Sequence, residues 1–345
     1  VTGLAVDVER IDPSDTHAFD EWFAVLHETD LERWPGLPGW QRVERLALAL
    51  DPNGPMEHQC LVARTGGRAI GIADLEMFRR ENGHLARIDV RVLPEWRRRG
   101  VGSALVACAE RTALATGRTE LGGMDETPTR ADCVDSAGPF ARCLGFEPVQ
   151  RIAHRRLLVP LSAAHEEALR RNPRATPVGY TLLTFADRWP EEYVEDRCEL
   201  GRRMSTDAPM GEQQLDEEVW DAQRLRDLHT AMEAQNRTVM ITAARDDESG
   251  RLVAFTELAV PLGAPQSAWQ WDTLVLREHR GHGLGFAVKL ANLQATLIQH
   301  PGVRRINTEN GEDNAPMIAI NDELGFEVVA HSVEWRRRIQ PRRKG

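Results

Sequence analysis

Strand and helix patterns alternate along this chain in an order that predicts an α/β (α+β) fold built twice. Three observations carry that expectation. The turn R-x-x-G-x-G occurs at Arg97-Arg98-Arg99-Gly100-Val101-Gly102 and again, 183 residues later, at Arg280-Gly281-His282-Gly283-Leu284-Gly285. Eight residues before each arginine stands an aspartate, Asp89 or Asp272, within an apolar-rich stretch, 88–93 or 269–276. Each copy then reaches Leu-Gly-Phe-Glu, at 144–147 and 324–327. Shared order and near-constant register mark an internal repeat. The 345 residues thus divide into domains 1–162 and 178–345. The charged stretch 163–177, with Pro173 and Pro177 at its end, reads as a linker.

The elements follow in parallel. In the first half, 5–11 reads as a strand and 17–34 as an amphipathic helix with Phe19, Trp22, Phe23 and Leu26 on its apolar side. Strands 59–63 and 69–75 join through Gly66-Gly67, a hairpin signal. Strand 88–93 leads through the glycine turn into a helix whose apolar positions Leu105, Cys108, Ala109 and Ala113 recur at helical spacing. In the second half the series is strand 181–185, helices 191–202 and 220–234, and strands 239–244 and 252–260 joined through Asp246 to Gly250. The stretch 269–276 and the second turn then open a helix carrying Val288, Ala291, Leu293 and Leu297.

Composition excludes several classes. With 41 % hydrophobic and 28 % charged residues the chain is an ordinary globular protein. Its longest apolar runs, 46–50 and 104–109, fall far short of the ~20 residues of a membrane span. The acidic first ten residues do not read as a secretory signal. Five cysteines without C-x-x-C spacing suggest neither a disulfide framework nor a zinc knuckle, so a cytoplasmic location is expected. The net charge of −10 disfavours nucleic acid and acidic membranes and favours a cationic small molecule. All but two of the 43 basic residues are arginine, a skew expected of a GC-rich genome, so isolated arginines carry no functional signal.

A glycine-rich turn between strand and helix presents successive backbone N–H groups and the positive end of a helix dipole, a cradle for pyrophosphate. The glycines let phosphate approach the backbone and permit positive φ, while Arg97 or Arg280 can add a charge-assisted contact. A P-loop would need a lysine after the second glycine, where Ser103 and Phe286 stand. A dinucleotide fingerprint would need a small residue at Leu105 or Val288. Neither nucleotide fold fits.

These residues resemble the GNAT acyltransferase superfamily, with its R-x-x-G-x-G turn and a later loop and helix ending in Leu-Gly-Phe. The resemblance covers both halves, a tandem layout similar to that of mycothiol synthase. It implies two domains, each a mixed, centrally splayed sheet flanked by helices. It also implies acetyl-CoA, or another acyl-CoA, as co-substrate, with its pantetheine arm in a V between two central strands: 88–93 with 120–124, and 270–276 with 305–309. The cofactor contacts it implies are Leu274, Val275, Leu276, Arg280, Gly281, His282, Gly283, Leu284, Gly285, Asn310 and Asn314. In the first half they are Val92, Leu93, Arg97, Arg98, Arg99, Gly100, Val101 and Gly102.

Transfer to an amine needs a base, a polarised thioester carbonyl and a leaving thiolate. A free backbone N–H near Leu93 or Leu276 can polarise the carbonyl. Asp272 is the first candidate for base or substrate anchor, followed by Glu309, Glu257, Asp89 and Glu120. Many relatives carry a tyrosine five residues before the Leu-Gly-Phe phenylalanine; here those positions are Ala141 and Asn321, and Asn321 can still donate a hydrogen bond. The second half keeps asparagines in its loop where the first has none, so the chemistry is expected there. The leading expectation is an N-acetyltransferase acting on a small amine, as a monomer or a homodimer. The alternatives are mycothiol synthase and a non-catalytic CoA-binding or scaffold protein. No metal is expected, since His279 and His282 offer only two ligands. Trp269 and Trp271 share a strand face and are expected in the core or lining an acceptor pocket. The arginine-rich tail 336–344 is expected to be a solvated terminus.

Overall fold

The structure, a computed structural model, describes residues 6–133, 135, 137–207 and 216–340. Residue 5 of the first expected strand and the tail beyond 340 lie outside the described residues. In chain order the first half contains β1 (Asp7–Arg10), α1 (Thr16–Arg33), α2 (Arg42–Leu50), β2 (Met56–Thr65), β3 (Arg68–Phe78), β4 (Leu85–Val92), α3 (Val101–Ala115), β5 (Glu120–Met124), the two-residue β6 (Thr127–Pro128), α4 (Ala137–Cys143) and β7 (Glu147–Leu158). The second contains α5 (Ala163–Arg171), β8 (Tyr180–Ala186), α6 (Val194–Asp207), α7 (Ala222–Ala234), β9 (Arg237–Asp246), β10 (Leu252–Pro261), β11 (Ser267–Val275), α8 (Leu284–Gln299), β12 (Arg305–Gly311), α9 (Ala315–Leu324) and β13 (Glu327–Arg338). The mixed sheets flanked by helices are as expected. The helix α2 was not anticipated.

Two compact units form: Val1–Arg151 with Ser332–Gly345, and Ile152–His331. The expected division at 163–177 therefore differs from the observed one, and the reason lies in the last strand of each repeat. In the first unit the strands run β1, β2, β3, β4, β5 and then the end of β13, whose Glu334–Arg338 pairs antiparallel with Glu120–Met124. In the second they run β8, β9, β10, β11, β12 and then the end of β7, with Ile152–Leu158 antiparallel to Arg305–Gly311. Each repeat thus takes its sixth strand from the end of the other. Nor is 163–177 a bare linker. Ser162 caps α5, Leu169 is buried in the core of the second unit, and Pro173–Ala175 forms a short 3-10 turn.

Within each unit one parallel pair opens into a V. β4 and β5 are paired only at Leu85↔Glu120, Ala86↔Leu121 and Arg87↔Gly122, and β11 and β12 only at Ser267↔Arg305, Ala268↔Ile306 and Trp269↔Asn307. Beyond these pairs the strands diverge. Alternating side chains face two helical layers. In the first unit Leu61, Leu75 and Met77 meet Leu105 and Ala109 of α3, while Cys60, Val62 and Ile72 meet Phe19, Trp22 and Leu26 of α1. In the second, Phe286 and Leu290 of α8 pack with Leu258 and Ile306. Leu200 of α6 and Leu225 of α7 pack with Ile241, Phe255 and Leu274.

Trp335, 3 % exposed, fills the core of the first unit beside Phe146, and its indole N–H donates to Asp125 at 2.8 Å. Replacing it with alanine is expected to destabilise the first unit by about 3–5 kcal/mol. Urea unfolding followed by circular dichroism reads that loss. An unchanged midpoint would contradict the strand exchange.

Candidate active site

The two glycine turns have nearly the same backbone. A short 3-10 turn follows the strand at Pro94–Trp96 and at Arg277–His279, and Arg97 and Arg280 are extended, at φ −67° and −71°. Gly100 and Gly283 then adopt φ 87° and 78° as the residues that cap α3 and α8. Gly281 is at φ 85°, and its counterpart in the first turn is Arg98, at φ 60°. A left-handed non-glycine residue costs roughly 1–2 kcal/mol, so the first turn keeps this shape at some expense. Side chains cap α1, α5, α7 and α9 through Asp15, Ser162, Asp221 and Asn314, whereas neither α3 nor α8 has a side-chain cap. Their first N–H groups are left for an anion.

In the second unit the turn borders a cleft of about 410 Å³, lined among others by Thr273, Leu274, Val275, Gly281, Gly283 and Asn314. Volume, bare helix N-terminus and glycine backbone fit the pyrophosphate and pantetheine of an acyl-CoA. Arg280 lines the cleft, with its Nε anchored to the Val275 carbonyl at 3.2 Å, as Arg97 Nε is to Val92 at 3.0 Å. The basic group that lines the cleft from outside the motif is Arg174, in the expected linker. Its stem lies against Gly283, where an added Cβ would come within 2.6 Å of its Cγ. Its guanidinium sits 4.8 Å from the Phe286 ring and pairs with Glu323. Tyr180, from β8, shares a 3.1 Å hydrogen bond with His279 and its ring contacts His282, so these histidines pin the loop. Sequence reasoning found neither Arg174 nor Tyr180, because both arrive from distant segments.

The expected free N–H is displaced by one residue. Leu276 donates to Val253 O at 2.9 Å and Leu93 to Ile70 O at 3.1 Å. Because N–H groups alternate along a strand, those of Val275 and Val92 face the open V instead.

Asp272 owes its position to a β-bulge. Thr256 pairs with Thr273 and Leu258 with Gln270, so Trp271 and Asp272 together oppose Glu257. Such bulges re-aim side chains, and the carbonyls this one releases are sealed from within. Thr256 Oγ1 donates to Asp272 O at 3.2 Å, and Gln270 Nε2 to Glu257 O at 2.7 Å. The first unit has no bulge there: Asp74 directly faces Asp89. The Asp272 side chain is exposed, with protein packed around the strand that carries it. That crowding, and then the charge of Glu257, raise its pKa to about 6. Among the described residues no cation lies within ion-pair distance of it.

The other sequence candidates fall elsewhere. Glu257 is buried, accepting from the Trp189 indole at 3.0 Å and pairing with Arg197, which stacks on Trp220 and Phe255. It is a structural carboxylate. Glu309 stands beside His154, 3.4 Å away, and Glu120 faces Arg336 and Arg338. Asn321 is fully buried, its Oδ1 accepting from Lys289 and its Nδ2 donating to Asn310, so neither asparagine reaches the cleft. Asn314 does line the cleft, but its side chain accepts the Met317 N–H as the cap of α9. Trp271 packs in the core, while Trp269 is 41 % exposed.

In the first unit the corresponding charges are paired. Asp89 accepts from Arg91 at 2.8 Å, Arg97 pairs with Glu32, and Glu126 with Arg33. Arg99 stacks on Trp96. His58, Asp74 and Glu76 bring potential ligand atoms within 4.8 Å of one another, but Arg45 already pairs with Asp74 and supplies the positive charge there.

The sequence pattern of the Acetyltransferase (GNAT) family matches residues 18–146 and 177–326, one match in each repeat. The chain belongs to this family. Among solved structures it is similar to a tandem GNAT protein from the clavulanic acid biosynthesis pathway, at 28 % identity and a TM-score of 0.79, over 98 % of this chain and 99 % of that one. A GCN5-related N-acetyltransferase from Sphaerobacter thermophilus shares the fold at 17 % identity and a TM-score of 0.69, over 97 % and 96 % of the two chains. No curated protein matches the sequence. Among the described residues no helix is long and apolar enough to cross a membrane.

Proposed function

We propose that the protein transfers an acetyl group from acetyl-CoA to the amine of a small molecule, and that the second unit carries out the reaction. The observation that carries this reading is the Asp272 carboxylate: exposed, without an ion-pair partner among the described residues, and re-aimed by a bulge on the strand that ends at the uncapped turn of α8. Asp272 takes the proton of the attacking amine, the Val275 N–H polarises the acyl carbonyl, and the turn at 280–285 holds the pyrophosphate. A raised pKa suits this duty, since a base works best with a pKa near the working pH. The similarity to a protein of a biosynthetic pathway supports a small-molecule acceptor, and the acidic surface favours a cationic one. Binding of acetyl-CoA by calorimetry, then thiol release with a panel of amines, tests the proposal; absence of both would end it.

The first unit supports a second reading of its own, as a non-catalytic acyl-CoA binder. Its turn is intact and uncapped, while its aspartate is held by Arg91. For Arg174 we expect a role in affinity. Arg174→Ala should raise KM for acetyl-CoA about fivefold, ~1 kcal/mol for a partly exposed charge pair, and leave kcat near the wild-type value. Steady-state kinetics at varied acetyl-CoA measures the split.

A further inference from the structure

The second glycine turn carries titratable rings where the first does not. His279 and His282 stand 183 residues after Trp96 and Arg99, on turns of nearly the same backbone. In the first turn the Arg99 guanidinium, whose charge is permanent, lies 5.2 Å from the Trp96 ring. In the second, His279 ends the short 3-10 turn, is half-buried, and lines the cleft together with Gly281 and Gly283. Tyr180 fixes it: the hydroxyl is 3.1 Å from His279 Nδ1, and the two rings meet edge to face at 5.8 Å. Burial, and then the charge of Asp246, hold the Tyr180 pKa above its usual value, so the hydroxyl stays neutral. With Nδ1 on the tyrosine, Nε2 is the nitrogen left for a ligand. No carboxylate among the described residues is within ion-pair distance of His279. The two whose charges bear on it have other partners, Asp246 accepting from Ser249 and Glu278 pairing with Arg203 of α6. Of the cations at the cleft, Arg280 is anchored to Val275 and Arg174 pairs with Glu323. His282 is exposed.

We propose that His279 is an acyl-CoA ligand that works in its protonated form: its Nε2–H donates to the pyrophosphate seated on the turn, so acyl-CoA binds the second unit with uptake of a proton and more tightly as pH falls from 8 to 6. The sign follows from the charges. A diphosphate diester stays anionic throughout this range, whereas imidazole gains its charge within it, and the charged donor makes the stronger hydrogen bond. A complex that holds the proton more tightly must, by reciprocity, be held more tightly when the proton is on. For an imidazole whose proton is bound about tenfold more tightly in the complex, affinity at pH 6 is about fivefold that at pH 8, and about half a proton is taken up at pH 7. The first turn, with tryptophan and arginine at these positions, has no such dependence.

This inference rests on CoA occupying the second unit, and its test separates the two claims. Calorimetry of the full-length protein with CoA, in buffers of different ionisation enthalpy between pH 6 and 8, measures affinity and protons taken up. Dephospho-CoA is run in parallel, because the 3′-phosphate monoester of CoA itself titrates near pH 6, at about the value of other phosphate monoesters. With dephospho-CoA the wild type should show the fivefold tightening and the uptake, and His279→Gln should lose both. His279→Arg, with a permanent charge, should bind at pH 8 about as tightly as the wild type at pH 6 and take up no proton at that position; a ring that only pins the loop predicts no such gain. His282→Gln should keep the uptake, and its loss there would overturn the assignment to His279. A wild-type affinity for dephospho-CoA that does not change with pH overturns the inference whether or not the variants fold, and leaves the functional reading intact. Linkage seen with CoA alone overturns the contact to pyrophosphate. Failure of the wild type to bind CoA at any pH overturns both claims.

Discussion

Asp272→Asn is expected to lower kcat by about 10²–10⁴, the range a positioned general base contributes, with KM for acetyl-CoA little changed. The variant should melt no lower than the wild type. A carboxyl whose folded pKa lies above its unfolded value binds its proton more tightly in the native state, so its contribution to stability grows as pH falls through about 6 and is lost above it. Around neutrality the charged form is the disfavoured one, and the amide relieves it. Loss of turnover without loss of stability separates a base from a structural carboxylate. The wild-type kcat/KM should correspondingly fall as pH drops below about 6, and Asp272→Asn should flatten that limb. Asp89→Asn is the control: because Arg91 holds Asp89, turnover should stay near wild type. Equal losses from the two substitutions would show that both units react.

The asymmetry behind that contrast was only partly legible in the sequence. Turns, repeat and splayed strands are local or evenly spaced, so their residues announce them: Gly100 and Gly283 stand where φ must be positive, and the aspartates keep their distance from the arginines. The bulge is different. Nothing in the run 269–273 says that two of its residues will face Glu257 alone; the signals are Thr256 and Gln270, whose side chains seal the freed carbonyls, and these make sense only once β10 and β11 are paired. The sixth strands escaped for a related reason. Residues 152–158 and 332–338 carry ordinary strand patterns, and which sheet they join is set by long-range partners such as Asp125 for Trp335. Likewise 163–177 looks like a linker because one apolar residue, Leu169, anchors it, and that charged composition hides the arginine lying on the second turn.

The turns themselves provide the other large effect. Gly283→Glu is expected to weaken CoA binding to the second unit at least about 100-fold and to abolish turnover, whereas Gly100→Glu should leave most of the activity. Placing a carboxylate on the bare N-terminus of α8 fills the anion site with a tethered charge and repels a pyrophosphate. Losing two charge-assisted hydrogen bonds at about 1.5 kcal/mol each is itself about 100-fold. The fold should survive, because a negative charge at a helix N-terminus is favourable and the left-handed glycine position costs a side chain only about 1–2 kcal/mol. The two sites differ in their surroundings. A Cβ at Gly283 must displace the stem of Arg174, while at Gly100 it meets nothing within 4 Å. The second substitution therefore adds little beyond the change of backbone preference and local charge. Calorimetry with CoA on both variants reads the outcome as stoichiometry as well as affinity. If both units bind, Gly283→Glu should retain a single CoA and no turnover, and Gly100→Glu a single CoA and nearly full turnover. Binding lost from the first turn together with activity would place the chemistry in the other unit and reassign the base to Asp89.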